Sequence, residues 1–200
     1  AGLHLNQPRI MGIINVTPDS FSDGGEALNL EDAVTRGRNM LSAGADILDV
    51  GGESTRPGAL PISVDQECDR VVPVIASLAR DGALISIDSR RAQVMAEAIS
   101  VGAGIVNDVS ALSDDPEAIS VIAKKNVSVI LTHMQGKPHN MQENPSYDVP
   151  SKDICNYLGN RIADCVISGI QREKIAVDPG IGFGKNLDHN LEILANIREL

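Results

Sequence analysis

The sequence predicts an α/β protein built on a parallel sheet, and three observations carry that prediction. Six short runs rich in β-branched apolar residues recur along the chain. Each is followed by a longer stretch with helical spacing of its apolar residues. Each run also ends in a polar side chain able to bind or catalyse. Strands buried on both faces read as near-continuous apolar runs, and strict alternation with helices calls for crossover connections between parallel strands.

In chain order the strands are expected at Ile10–Val16, Ala45–Val50, Ala83–Asp88, Gly104–Asp108, Val127–His133 and Lys174–Asp178. Helices are expected between them. Leu30–Ala43 gathers Ala33, Val34, Met40 and Leu41 largely on one face, and Val64–Ala79 does so with Val71, Val72, Ile75 and Leu78. Ala92–Val101 follows with Val94, Met95, Ala98 and Ile99. Pro116–Lys125 opens with Pro in the first turn after Asp115, a residue suited to an N-cap. Ile154–Ser168 and Leu187–Leu200 complete the set. Gly44, Gly82, Gly102 and Gly169 each follow a helix, where a C-cap needs positive φ.

Two architectures fit six βα units: a doubly wound open sheet and a (β/α)8 TIM barrel. Eight units take ~250 residues, so six units in 200 residues keep pace with the barrel. A barrel left open after six strands would expose two strand edges. The expectation is therefore one domain over residues 1–200, with about six of eight βα units present and the last two lacking, as in a C-terminally incomplete chain.

Composition narrows the function classes. With 17 Lys+Arg against 27 Asp+Glu the formal charge is −10, which argues against a nucleic-acid or anionic-membrane surface. It leaves room for a small anionic substrate, because local charge can oppose net charge. The hydrophobic fraction of 42% suits a packed globular core. Cys68, Cys155 and Cys165 are odd in number and form no C-x-x-C, so they read as buried thiols in a reducing cytoplasm. No apolar run approaches the roughly 20 residues of a membrane span, and Ala1–Gln7 shows no signal-peptide pattern.

The polar residues closing the runs are Asn15, Asp49, Asp88, Asn107 with Asp108, His133 and Asp178. In parallel α/β proteins the strand C-termini share one face, and ligands bind there. Asp and Asn after a strand also serve as caps or turn formers, but six together point to a site. Carboxylates accept paired hydrogen bonds from an amino-pyrimidinone edge, and an Asn amide matches a mixed edge, so a planar heterocycle rich in N–H groups is the expected ligand. No H-E-x-x-H or G-x-S-x-G is present, which sets aside zinc and serine-nucleophile chemistry. The stretch Asp178-Pro-Gly-Ile-Gly-Phe-Gly-Lys185 is neither a P-loop nor G-x-G-x-x-G, and reads as backbone approaching something closely. Two long loops, Thr17–Leu28 and Gly51–Ser63, carry Phe21 and Arg56; the latter is a natural fork for a carboxylate or phosphate.

These blocks resemble a known family. Asn15-Val-Thr-Pro-Asp-Ser-Phe-Ser-Asp-Gly-Gly25 and Asp49-Val-Gly-Gly-Glu-Ser-Thr-Arg-Pro-Gly58 are similar to the two first signatures of the dihydropteroate synthases, the sulfonamide targets of folate biosynthesis. Asn107-Asp108, His133-Met134-Gln135-Gly136 and the Asp178–Lys185 stretch resemble later blocks. The resemblance runs from about Ile10 to the end and implies the barrel. It also implies condensation of 6-hydroxymethyl-7,8-dihydropterin pyrophosphate with para-aminobenzoate, assisted by Mg²⁺, in a cytoplasmic homodimer. Carried over residue by residue, it puts Asp49, Asp88, Asn107, Met134, Asp178 and Gly182 at the pterin. Phe21, Thr55, Arg56, Pro57 and Phe183 fall at para-aminobenzoate, and Asn15 at Mg²⁺ or the pyrophosphate. Asp88, Asn15 and Arg56 are the catalytic candidates.

The sequence departs from the family in two places. Ser89 and Ala92 stand where the pattern D-T-x-x-P has Thr and Pro. The family's later S-R-K and R-x-H motifs do not occur in these 200 residues. The expectation is a chain that keeps part of the pterin pocket, loses much of the anion site and is poorly active and marginally stable alone. Two other readings remain: a corrinoid-type pterin-dependent methyltransferase, and a non-catalytic pterin-binding fragment.

Overall fold

The computed structural model describes residues 3–17, 26–54 and 60–199. Its strands are β1 (Met11–Asn15), β2 (Ile47–Gly51), β3 (Ile85–Asp88), β4 (Ile105–Asp108), β5 (Ser128–Thr132) and β6 (Ile175–Asp178). The helices are α1 (Glu26–Ser42), α2 (Val64–Arg80), α3 (Ala92–Ser100), α4 (Ala118–Lys125), α5 (Pro150–Ile167) and α6 (Leu187–Ala195). All five strand pairings are parallel, in the spatial order β1-β2-β3-β4-β5-β6. A doubly wound sheet reverses its strand order part-way across. This sheet never does, so its order is that of a barrel wall.

Side chains alternate across that wall. Ile14, Leu48, Val50, Ile85, Ile87, Val106, Val129 and Leu131 point outward and are essentially excluded from water. They join Val71, Val74, Ile75 and Leu78 of α2, Val94, Met95 and Ala98 of α3, Ile122 of α4 and Ile154 and Leu158 of α5 in one core. Each of these side chains larger than Ala98 contributes about 1.5–3 kcal/mol by burial. The core therefore lies between sheet and helices, and the inner face of the wall is free to carry polar groups.

Several boundaries move, each for a local reason. α4 starts two residues later than Pro116, after a turn that Asp115 still caps: Oδ1 accepts from Glu117 N (2.9 Å), while Oδ2 accepts from Ala92 N of α3 (2.8 Å). α5 starts earlier, with Pro150 in the first turn, where its missing N–H costs nothing. α6 ends at Ala195 and tightens into a 3₁₀ turn at Ile197–Glu199. Gly44, Gly82, Gly102 and Gly169 all take positive φ after their helices. Of the three thiols only Cys165 is buried; Cys68 and Cys155 are partly exposed, and all are free. Ala92 in place of Pro still opens α3. No helix among the described residues is long and apolar enough to cross a membrane.

Candidate active site

The inner face of the wall builds the site in two rungs. The register pairs Asn15 with Gly51, Gly51 with Asp88, and Asp88 with Asn107, which makes one rung at the strand ends. The rung below pairs Ile13 with Asp49 and Asp49 with Ser86. Gly51 has no side chain between Asn15 and Asp88. A Cβ there would stand 3.3 Å from Asp88 Oδ2 and 3.6 Å from Asn15 Oδ1, so both oxygens close in on the place a side chain would take.

Hydrogen bonds tie the rungs together. Asn107 Nδ2 donates to Asp49 Oδ2 at 3.0 Å, and the Thr132 hydroxyl donates to Asn107 Oδ1 at 3.4 Å. These two bonds settle which end of the Asn107 amide faces which neighbour. Asp49 Oδ1 and Ser86 Oγ are buried without a hydrogen-bond partner among the described residues. A buried carboxylate oxygen left open inside a polar cavity is a group waiting for a donor.

Burial sets the electrostatics. Desolvation raises the Asp49 carboxyl above the usual range, partly offset by the Asn107 amide that donates to it and by the Ser86 hydroxyl, which stands nearby without the geometry of a hydrogen bond. Asp88 is pushed well up, first by desolvation and then by the negative charge of Asp49, Asp108 and Glu67, with Arg90 opposing. Two carboxyls that resist ionisation are poised to take up a ligand bearing N–H groups or positive charge.

Not every predicted residue reaches this mouth. Asp108 is the first correction. Its neighbour Asn107 points in, so strand alternation turns Asp108 outward. There Oδ1 accepts from Ser110 N and Ser110 Oγ (2.7 Å each) and Oδ2 from Leu112 N (3.0 Å). It is a turn former, with its carboxyl raised to about 6 by desolvation. His133 is the second. Thr132 points in, so His133 points out, packing edge-on against Tyr157 and beside Tyr147, while Nδ1 meets Lys185 Nζ at 3.0 Å. Desolvation, then the Lys185 charge, lower it to about 4, so the ring is neutral.

Asp178 ends β6 level with Thr132, exposed, and its Oδ1 accepts from Gly180 N at 2.7 Å. Phe183 packs on a small cluster of Val109, Met134 and Met141. Gly182 is held through its N–H on Asn190 Oδ1 (2.9 Å) and its carbonyl under Gln142 Nε2 (2.5 Å). Phe21, Thr55, Arg56 and Pro57 lie outside the described residues. The chain flanking the last three is well anchored: Glu53 Oε1 accepts from Ile62 N (3.2 Å) and Arg91 Nη2 (2.6 Å), and Oε2 from Arg90 Nη2 (2.5 Å). The same carboxylate thus fastens both shoulders of the second loop. Arg90 and Glu53 also wall a cavity of about 190 Å³ at the rim, together with Ser54, Pro61, Lys137 and His139.

Sequence reading missed Ser86, Thr132, Glu53 with its two arginines, and Lys185. Counting back by two from Asp88 would have found Ser86, and the same alternation would have preferred Thr132 to His133. Nothing local announces the Glu53 clamp, whose partners are 37 and 38 residues away.

Among the described residues no group of three His, Cys, Asp or Glu could hold a metal ion unaided. Asn15 offers one hard oxygen donor at an exposed strand end. Mg²⁺ is commonly held by few protein ligands together with substrate phosphates and water, and Asn15 fits that pattern.

Comparison with known proteins decides the family. Residues 11–200 match the family of pterin binding enzymes. The dihydropteroate synthase of Escherichia coli K12 is 49% identical over 198 residues, covering 98% of this chain and 70% of that protein. This chain belongs to the dihydropteroate synthase family. Solved synthases agree in shape. That of Yersinia pestis, in a sulfonamide drug complex, is 48% identical with a TM-score of 0.92, over 98% of this chain and 72% of that one. That of Xanthomonas albilineans, with 4-aminobenzoic acid, is 43% identical with a TM-score of 0.90, over 98% and 69%. The dihydropteroate synthases have the TIM-barrel fold, and the six strands here follow it in order.

Proposed function

We propose that this protein joins 6-hydroxymethyl-7,8-dihydropterin pyrophosphate to para-aminobenzoate, forming 7,8-dihydropteroate and pyrophosphate. The C–O bond to pyrophosphate breaks, a C–N bond to the aryl amine forms, and the amine loses a proton. The observation that carries the proposal is the hydrogen-bonded pair Asp49–Asn107 with Asp88 beside it in register on the inner wall, and one buried Asp49 oxygen left unsatisfied.

In this reading Asp88, Asn107 and Asp178 hold the N–H-bearing edge of the pterin, with Asp49 beneath them. Asn107, fixed between Asp49 and Thr132, serves as a rigid support, so the ring is oriented by groups that do not reorganise. Met134 and Gly182 line the same ligand. Departure of pyrophosphate leaves positive charge on the pterin methylene, and carboxylates in a low-dielectric wall stabilise charge where it develops. Asp88 would carry most of that role. Asn15, across the bare Gly51 from Asp88, would hold Mg²⁺ or the pyrophosphate. Bound Mg²⁺ would neutralise the leaving group as a Lewis acid. Phe183, with Phe21, Thr55, Arg56 and Pro57, would enclose para-aminobenzoate. A homodimer and a cytoplasmic location accompany the family resemblance and belong to the same proposal.

The test is pyrophosphate release from the pterin pyrophosphate by the full natural chain, with and without para-aminobenzoate. Release coupled to dihydropteroate is the expected result. A folded, pterin-binding protein without coupled product would overturn the proposal, and methyltetrahydrofolate binding would then favour the methyltransferase reading. Carboxyls placed to stabilise a cation as it forms also favour departure before amine attack. Single-turnover release that strictly requires para-aminobenzoate would count against that order.

A further inference from the structure

Lys185 is 3% exposed, yet no carboxylate hydrogen-bonds to it among the described residues. Its ammonium donates to Phe183 O (2.8 Å) and His133 O (3.2 Å), and lies 3.0 Å from His133 Nδ1. Tyr147 stands over it, with Nζ 6.0 Å from the ring centroid, and donates its hydroxyl to Gly184 O at 2.7 Å. One buried cation therefore bridges the chain leaving β5 and the glycine-rich loop leaving β6. A buried charge bound only to neutral acceptors is costly, so its retention calls for a role.

The two segments it joins are pressed backbone to backbone. Gly180, at φ +68, lies so close to β5 that a Cβ would fall 1.9 Å from His133 O. A Cβ on Gly184 would fall 2.6 Å from Gln135 O. Only glycine tolerates both the conformation and the approach. The residues carried by these segments are Met134 on one side, and Gly182 and Phe183 on the other. Phe183 itself packs on the cluster containing Met134.

We infer that Lys185 is a positioning residue. By clamping the His133 and Phe183 carbonyls it fixes the Phe183 ring and the Gly182 backbone relative to Met134, where the two substrates would meet. It acts through those residues and touches no substrate. Three features separate this from simple loop stability. The shortest of its bonds falls on the carbonyl of Phe183, a residue lining the proposed site. The cation is placed where an apolar side chain would have been less costly. The loop already has bonds of its own, from Gln142 and to Asn190. The inference rests on the reading given under the proposed function.

The experiment compares the full natural chain with Lys185→Met, which keeps the length and removes the donors, and Lys185→Arg, which restores them. Loss of alignment by about 1 Å costs up to about 10²-fold. The expected result for Lys185→Met is a rise of about tenfold or more in the para-aminobenzoate KM. Pterin pyrophosphate binding, measured by calorimetry, should weaken less than the para-aminobenzoate KM rises, because Asp49, Asp88 and Asn107 are untouched and only the Gly182 and Met134 contacts shift. Amide exchange at Gly182 and Phe183 should accelerate, with the β2–β4 strands unaltered, and Lys185→Arg should recover most of the KM. If Lys185→Met fails to fold, Lys185→Gln, with a donor on a shorter stem, should show the same KM shift at smaller amplitude. An unchanged KM and unchanged local exchange in a folded variant overturns the inference, as does a loss confined to kcat and thermal stability. A wild-type chain without coupled turnover would instead overturn the proposed function, and local exchange would still decide the clamp.

Discussion

Asn107 on β4 reaches over the intervening strand β3 to donate to Asp49 on β2, 3.0 Å from nitrogen to oxygen. The bond fixes the orientation of the Asn107 amide and satisfies one of the two Asp49 oxygens. Asn107→Leu would leave that oxygen buried without a donor, at a cost of about 1–3 kcal/mol. The variant should unfold at lower denaturant concentration by that amount and bind pterin at least about tenfold more weakly. Calorimetry with the pterin pyrophosphate, beside a urea titration, would check both. Wild-type affinity in the folded variant would remove Asn107 from the site.

Asp88 offers a sharper separation of stability from function. Its folded carboxyl is held well above its ordinary range by desolvation and neighbouring negative charge. A raised carboxyl contributes stability that is fully present below the unfolded value and lost as pH rises through the folded one. The folded wall thus disfavours the Asp88 anion relative to the unfolded chain. Asp88→Asn should be at least as stable as the parent at pH 8, with the advantage vanishing in acid. Turnover should fall by about 10²–10³-fold, as when a group stabilising developing charge is removed. Thermal melts across pH together with initial rates would test this. A variant equally destabilised at every pH would show that the Asp88 side chain is structural.

The strands, their order and the inward carboxylates were legible because they follow from two local regularities: β-branched apolar runs and polar strand ends. Asp49, Asp88 and Asn107 were all found that way. The same rule misplaced Asp108 and His133, because the run ends were located to within one residue and a shift of one residue reverses the face. Glu53 and Lys185 were illegible for a different reason. Their partners are distant in sequence or are backbone carbonyls, neither of which leaves a compositional trace.

Asp108 supports a left-handed pair that would otherwise be unfavourable. Ala111 and Leu112 have φ of +51° and +60°, a region that costs a non-glycine residue about 1–2 kcal/mol. Asp108 Oδ2 holds Leu112 N, while Arg161 of α5 donates to Ala111 O and Leu112 O at 2.8 Å each. Asp108→Ala removes three acceptor contacts and should destabilise the protein by about 2–4 kcal/mol. Asp108→Asn keeps a carbonyl oxygen for the Ser110 donors and should lose less. Denaturant unfolding of both variants would measure the difference. Pterin affinity in either, once folded, should stay near wild type. A selective loss of pterin binding would return Asp108 to the site.

His133 gives the acid sensitivity of the fold. Burial, then the Lys185 charge, depress its pKa from an ordinary 6.5 to about 4. The unfolded chain therefore binds a proton at His133 through the window where the folded chain does not. By linkage, the contribution of this residue is fully present above pH 6.5 and is lost as pH falls toward 4. Discounted for the part of the ring that water reaches, the loss is about 2 kcal/mol. His133→Asn keeps an acceptor for Lys185 and carries no titrating group, so its stability should fall less steeply over the same window. Asp108, raised to about 6, slopes the other way in both proteins and cancels in the difference. Urea midpoints at half-unit pH steps would resolve the two curves. Parallel curves would mean that His133 is protonated in the folded state, and that its contact with Lys185 forms only through the backbone carbonyl.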